Sequence, residues 1–327
     1  MFDSYQHLRN QIYAHGLAEY EATIIRSAKP AIKINRERAN EDDIPIGASK
    51  LGGNPDLPAD FEWPHRDDVP LTFIAQFSLA DVAKAPPFDD LASRSIQKPL
   101  FDLEAIPTLR ATELADFPEE GLLYFFYYHV GRIEPFDRDS WRIFYFDYRT
   151  DALLRVQHPI KETEMQPVEA LPVHKISFEQ QITLSLNQLD LLLEDHDPLK
   201  KEFAERSHIW SSTFDLWFEG RPEEPGTHHY LLGYATPIQG MVEWDAAVHS
   251  QQLKYDRVGR VSLYRYPGGC IANLDAEAAK WQFLFQIDTD DSLNVMWGDM
   301  GTLYICIPKI SLRERRFEDC WTVFQCY

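Results

Sequence analysis

The chain has 327 residues, enough for one large or two ordinary domains, with 44% hydrophobic and 26% charged residues, as a well-packed soluble protein requires. Its 32 basic against 52 acidic residues give a net charge of −20, which repels phosphate backbones and excludes nucleic acid as a direct partner. No apolar run is long enough to span a membrane, and Met1 to His7 lacks the basic and apolar blocks of a secretion signal, so the expectation is a cytoplasmic protein without a membrane partner.

Residues 4–27 read as an N-terminal helix, capped by Ser4, with Leu8, Ile12, Leu17 and Ile24 along one face before Pro30 stops it. Ala31 to Asn35 alternates as a strand. Prolines at 86, 87, 99, 107 and 118 mark the stretch from Val82 to Pro118 as a long surface excursion. Ala152 to Val156 reads as a strand, followed by two helices. One opens with the capping box Ser185 to Gln188 ahead of Leu189, Leu192 and Leu193, the other with Asp197 and Pro198. A second excursion runs from Trp244 to Trp281, and the capping box Ser311 to Glu314 opens a short helix before the last strand.

Two stretches share one ordered pattern. Leu51-Gly52-Gly53, Leu57 and Glu62-Trp63 match Leu232-Gly233-Tyr234, Ile238 and Glu243-Trp244 at a displacement of 181. Phe73 to Phe77 answers Phe283 to Ile287, while Gly121 to Tyr124 and Trp141 to Phe144 answer Gly301 to Tyr304 and Trp321 to Phe324 at 180. Self-similarity fixes architecture before function. It predicts an α+β fold, mainly antiparallel β, with an internal duplication: two pseudo-symmetric halves share one core, with helices at the periphery. Residues 50–150 form the first repeat, 151–227 connecting strands and helices, and 228–327 the second repeat, all within one globule over 1–327. In Phe73, Ala75, Phe77 and in Phe283, Phe285, Ile287 one strand face is apolar, with Gln76 and Gln286 opposite. Gly121 to Tyr128 reads as a strand buried on both faces.

The candidate ligand-binding residues are Gln76, Gln286, Asp288, Asp290, Asp291, Trp297 and Asp299. Carboxylates this close repel one another unless a cation, basic groups or water screens them. Asp288 and Asp290 have the spacing of a calcium loop, yet Leu293 stands where the turn glycine belongs and Asp299 rather than a glutamate closes it. The cluster is therefore either a cation site or a polar hairpin turn whose aspartates accept backbone N–H bonds. Gln76 and Gln286 either read a ligand or satisfy buried backbone. Trp63 and Trp244 read as core anchors, with an exposed aromatic platform as the alternative. His129, past the strand that ends at Tyr128, either meets Asp288 or Asp299 as an acid/base pair, for which nothing in the spacing speaks, or is a hydrogen-bonded structural residue. No residue set with catalytic spacing is present, no cofactor is expected, and the four cysteines read as free, mostly buried thiols.

Ser49 to Pro58 with Phe61 to Pro64, Leu71 to Gln76, Gly121 to Phe126, Leu231 to Tyr234, Gln286 to Asp288, Met296 to Asp299 and Gly301 to Tyr304 together resemble the YwqG-like family of uncharacterised bacterial proteins. The resemblance spans residues 45–327 and implies an α+β fold with a duplicated core. It brings no activity, cofactor or catalytic residue, and it suggests a context near toxin–immunity systems. The leading functional expectation is thus a non-enzymatic protein-interaction or immunity-like module whose acidic surface suits a basic protein partner. The alternatives are a small-molecule or divalent-cation binder using a cleft between the halves, and a hydrolase using paired carboxylates.

Overall fold

Aromatic and β-branched residues fit a half-buried pleated surface, and runs of them supply most of the strands. The structure is a computed structural model describing residues 1–14, 16–86, 116–131, 137–147, 152–163, 167–185, 228–251 and 273–327. Its first elements are α1 (Tyr5–Ala14), α2 (Glu21–Ser27), β1 (Lys29–Arg38), β2 (Lys50–Leu51), β3 (Asp56–Pro58), β4 (His65–Arg66), β5 (Val69–Pro70) and β6 (Thr72–Ser78). Then come α3 (Leu79–Ala83), β7 (Leu122–Tyr127), β8 (Trp141–Phe146), β9 (Leu153–Arg155) and β10 (His174–Thr183). The rest are β11 (Tyr230–Leu231), α4 (Val242–His249), α5 (Leu274–Ala278), β12 (Trp281–Asp288), β13 (Thr302–Pro308), α6 (Lys309–Arg313) and β14 (Trp321–Gln325).

One ten-stranded sheet has the order β14-β13-β12-β11-β1-β10-β2-β6-β7-β8. Every pairing in it is antiparallel, and β1 and β10 form its spine, in register from Lys29 opposite Thr183 to Arg38 opposite His174. The sheet curls into a nearly closed, barrel-like shape. Its edge strands meet where the Trp141 and Trp321 rings lie 5.1 Å apart and Arg138 donates to the carbonyl of Glu318.

Side chains fill the interior. The Phe285 ring lies 5.3 Å from Phe77 and 5.6 Å from Phe125, and Tyr127 meets Trp297 at 5.4 Å. On the outer face of β6 and β7, Leu57, Leu71, Phe73, Leu122, Tyr124, Phe126 and Leu153 form a second cluster under the β3–β9 ribbon. Strand β7 is therefore buried along its whole length on both faces, as its unbroken apolar run requires.

Several expectations need correction. The N-terminal helix is broken: Gly16, at φ 71°, ends α1, with the Leu17 N–H returning to the Ile12 carbonyl at 2.9 Å. Ser4 still caps α1, its hydroxyl accepting from the His7 N–H at 3.0 Å. Strict alternation fails in β6 and β12, where bulges shift the register between Phe73 and Ala75 and between Phe283 and Phe285. Phe73 consequently joins the outer cluster with Tyr124, while Ala75 and Phe77 face the interior.

The displacement of 181 is also one too many. Lys50 and Leu51 pair with Gln76 and Ala75 as Tyr230 and Leu231 pair with Gln286 and Phe285. Gly52 and Leu232 share a φ of 64°, and Gly53 and Gly233 follow at 69° and 74°. Ser311 lies inside α6 and donates to Asp319 at 2.6 Å, so the helix opens at Lys309 rather than at the capping box. The helices expected from Ser185 and Asp197, Cys270, and most of both excursions lie outside the described residues.

Phe285→Ala removes the ring that joins the two sides of the interior and should lower stability by about 3–5 kcal/mol in urea unfolding. A loss below about 1 kcal/mol would show that this contact does not hold the barrel together.

Candidate functional site

The acidic run lies where β12 ends and the chain turns back into β13. Asp290 and Val295 bond each other's backbone at 2.9 and 3.1 Å, closing a tight loop in which Asn294 takes a left-handed φ of 57°. Asp290 is 2% exposed and its two carboxylate oxygens are occupied. One accepts from the Ser292 N–H at 2.8 Å and hydroxyl at 2.7 Å; the other faces His229 Nε2 at 2.9 Å and Arg36 Nε at 2.5 Å. His229 is fully buried, and its Nδ1 accepts the Asp288 N–H at 3.1 Å, so its proton sits on Nε2. Burial alone would raise the Asp290 pKa, but the bonds from His229 and Ser292 and the charge of Arg36 hold it far below the usual carboxylate range. With both ring nitrogens engaged, His229 has no lone pair or proton to offer a substrate.

The neighbouring polar groups are committed in the same way. Asp288 accepts from the His228 N–H at 2.6 Å and the Thr302 hydroxyl at 2.8 Å. The Gln286 oxygen accepts the Thr236 N–H at 3.1 Å, while its amide donates to the His228 carbonyl at 2.9 Å and to Asp288 at 3.2 Å. Across the sheet, the Gln76 oxygen accepts the Asp56 N–H at 2.8 Å, and its amide donates to the Ala48 carbonyl at 2.8 Å. Tyr124 and Tyr304 hydroxyls donate to the carbonyls of Asp56 and Thr236 respectively. Each glutamine thus anchors a loop strand to the sheet.

The remaining predicted residues separate. Trp297 turns inward, 3% exposed, against Tyr127. Asp291 and Asp299 are exposed, as are Met296, Met300 and Tyr327, at 62%, 57% and 71%. The turn from Trp297 to Gly301 is pinned by a 2.8 Å backbone bond, and the Tyr327 N–H donates to the Asp299 carbonyl at 3.1 Å, which sets Asp299 and Met300 beside the C-terminal residue. Gly298, at φ 57°, has no room for a side chain, since a Cβ would lie 2.5 Å from the Phe324 ring. His129 does not join the aspartates: it lies beside His158, and burial followed by that neighbour lowers its pKa to about 4.

Two groupings escaped sequence reasoning. Lys50 is fully buried, with Nζ 3.3 Å from both Asp56 and Glu41, and Arg155 Nε lies 2.9 Å from Asp56. Burial lowers the Lys50 pKa; burial also opposes ionisation of Asp56, but Arg155, Lys50, Gln76 and the Gly47 N–H together leave its pKa lowered. The only signal in the sequence was a lysine between Ser49 and Leu51 in an otherwise buried run. On α4, burial and the nearby Glu243 raise Asp245 to about 6, against a 2.7 Å bond from Gln325.

Trp63 bonds the Leu71 carbonyl at 2.9 Å and packs on Phe126, whereas Trp244 sits on α4 and bonds Asp275 at 3.1 Å, so the two Glu-Trp pairs occupy different structures. Among the described residues, Cys306 and Cys320 are buried free thiols and Cys326 is partly exposed. Among the described residues no group of three or more His, Cys, Asp or Glu is arranged to hold a metal ion, and none of their helices is long and apolar enough to cross a membrane.

A family model described as Domain of unknown function (DUF1963) matches residues 49–90 and 95–326. No curated protein matches the chain.

Asp290→Asn breaks a buried charge cluster and should cost about 3–5 kcal/mol at pH 7. The Asp290 pKa is depressed in the folded state, so its contribution is complete above about pH 4 and disappears as pH falls through the folded value. Denaturant titrations should therefore show wild type and variant converging in acid; a gap constant with pH would contradict the pairing. Asp245 carries the opposite sign. Its pKa is raised to about 6, so folding favours the protonated form and stability falls as pH rises from about 4 through 6. Asp245→Asn should be more stable than wild type at pH 8, by about 2–3 kcal/mol at most, with the advantage gone near pH 4.

Proposed function

We propose that this chain, which belongs to the DUF1963 family, is a non-enzymatic protein-binding module, immunity-like in use, that engages a basic protein partner in the cytoplasm. The carrying observation is the division of the segment 286–300. Gln286, Asp288, Asp290 and Trp297 are bound up in the scaffold, while Asp291, Met296, Asp299 and Met300, with Tyr327, face solvent. Methionines adapt to varied partner surfaces, and an aromatic ring set among carboxylates suits a cationic, partly apolar counterpart. The net charge of −20 would speed encounter with such a partner.

The finer family reading is YwqG-like. It goes with descent of the two sheet halves from one duplicated unit. Support comes from the strand order, which runs through equivalent elements from either edge, and from the shared bulges and glutamine and tyrosine anchors.

Affinity capture with the full chain should identify a partner, whose binding is then titrated against Met296→Ser/Met300→Ser and Asp291→Lys/Asp299→Lys. Each double substitution should weaken binding at least tenfold without changing the melting temperature, and wild-type affinity should fall as salt rises. Unchanged affinity in both double variants would refute this surface, and turnover of a substrate abolished by Asp288→Asn would refute the non-enzymatic reading.

A further inference from the structure

A lysine and a carboxylate shut away from solvent side by side can rest as an ion pair or condense to an amide, and the groups around them decide which is within reach. Lys50 and Asp56 are both fully buried, and Lys50 Nζ lies 3.3 Å from Asp56 Oδ1. The same Nζ lies 3.3 Å from Glu41 Oε1, so one amine faces two carboxyl groups at once. Asp56 Oδ2 accepts the Gly47 N–H at 2.9 Å and the Gln76 amide at 3.0 Å. Glu41 is fixed in turn, its Oε2 accepting the Asn54 N–H at 3.1 Å. The cluster at Asp290 has arginine and histidine around its carboxylate, and a guanidinium is never deprotonated to act as a nucleophile. Among the described residues Lys50 is the only buried lysine.

We propose that the folded chain joins Lys50 to Asp56 by an amide bond between Nζ and Cγ, with Glu41 as the proton carrier. The lysine enters as an ammonium and the aspartate as a carboxylate. One proton passes from Nζ to Oδ1, and the free amine attacks Cγ, forming the Nζ–Cγ bond. The carbonyl electron pair moves onto Oδ2, where the Gly47 N–H and the Gln76 amide hold the developing charge. A second proton passes from nitrogen through Glu41 to Oδ1, the Cγ–Oδ1 bond breaks, and Oδ1 departs as water. The third proton stays on the amide, so ammonium and carboxylate become amide and water with no other reactant. Burial is the largest influence on each group and favours the neutral pair that the attack needs. Arg155, 2.9 Å from Oδ1, opposes it by keeping Asp56 ionised, so the bond forms slowly, after folding. The product ties β2 of the main sheet to the β3–β9 ribbon across the turn at Gly52 and Gly53. This site is separate from the surface around Met296 and stands or falls independently of the protein-binding reading.

Mass spectrometry of the full chain reads the bond directly. Trypsin cuts after lysine and arginine, so an unmodified chain releases residues 39–50 and 51–66 as separate peptides. The aged wild-type protein should instead yield a single peptide over 39–66, lighter by one water, because an acylated Lys50 is not cut. Its fragment ions should place the link between Lys50 and Asp56. Asp56→Asn should form the same amide with loss of ammonia in place of water, and Glu41→Gln should slow the wild-type reaction by roughly tenfold or more. Two separate peptides of unaltered mass from wild type after long incubation would overturn the proposal, and this digest decides it even where a variant fails to fold. Loss of water with the cut after Lys50 preserved would overturn it too, since that marks a cyclic imide in the backbone. Fragment ions that place the link on Glu41 would do the same.

Discussion

The packing of Phe285 against Phe77 and Phe125 constrains the rest of the molecule. These rings belong to β12 on one side of the β1–β10 spine and to β6 and β7 on the other. A sheet of ten strands could remain open and twisted, with each face needing its own cover. Contact between rings from opposite sides instead makes the sheet its own cover. It curls until Trp141 reaches Trp321 and the two edge strands lose most of their exposure to other chains. The interior is consequently a packed core, unlike the hollow barrels that hold large ligands. Any large partner must be met on the outside.

A sheet so curled buries polar groups that an open sheet would leave in water, and each needs a partner. Gln76 and Gln286 meet this need by capping loop backbones, and Tyr124 and Tyr304 do the same one strand away. The charged groups are satisfied in clusters: Asp290 with His229 and Arg36, Asp56 with Lys50 and Arg155. Such clusters contribute little net stability relative to apolar replacements, because desolvation offsets attraction. Their geometry is nevertheless restrictive, as every oxygen of Asp290 has a defined donor. The residues with the most suggestive chemistry are therefore those least able to act on a substrate.

Much of the sheet was legible in the sequence because its signals are local. The apolar run of β7 and the matched Phe-rich strands follow from burial and alternation, which depend on nearest neighbours. The bulges at Phe73 and Phe283 were not legible: a single unpaired residue moves a side chain to the other face without altering composition. The displacement error at Gly52 has the same origin. A pattern of letters aligned Leu51 with Leu232, whereas the backbone equates Leu232 with Gly52, both left-handed. Position 232 accepts a strain that glycine avoids, and nothing in the residue names announces it. In the candidate site, the acidic run was visible but its partners were not. Arg36 and His229 come from distant strand ends, and only the fold brings them to Asp290.

The two sides of the sheet agree in the side chains that anchor their loops and differ in the elements that cover them. Gln76 and Gln286, or Tyr124 and Tyr304, occupy matching places and make matching bonds. Lys50 faces Gln76 across the ladder where Tyr230 faces Gln286, and the carbonyl reached by Tyr124 belongs to an aspartate where that reached by Tyr304 belongs to a threonine. One outer face is covered by the β3–β9 ribbon over an ion network, the other by α4. On the proposed common descent, a shared interior constrains both halves equally, because each ring contact requires its counterpart. The covering elements, the β3–β9 ribbon on one side and α4 on the other, carry no such mutual requirement and are free to diverge. Among the described residues the exposed turn around Met296 and Asp299 belongs to one half, and on the proposed duplication it is a place where a function could develop without disturbing the core.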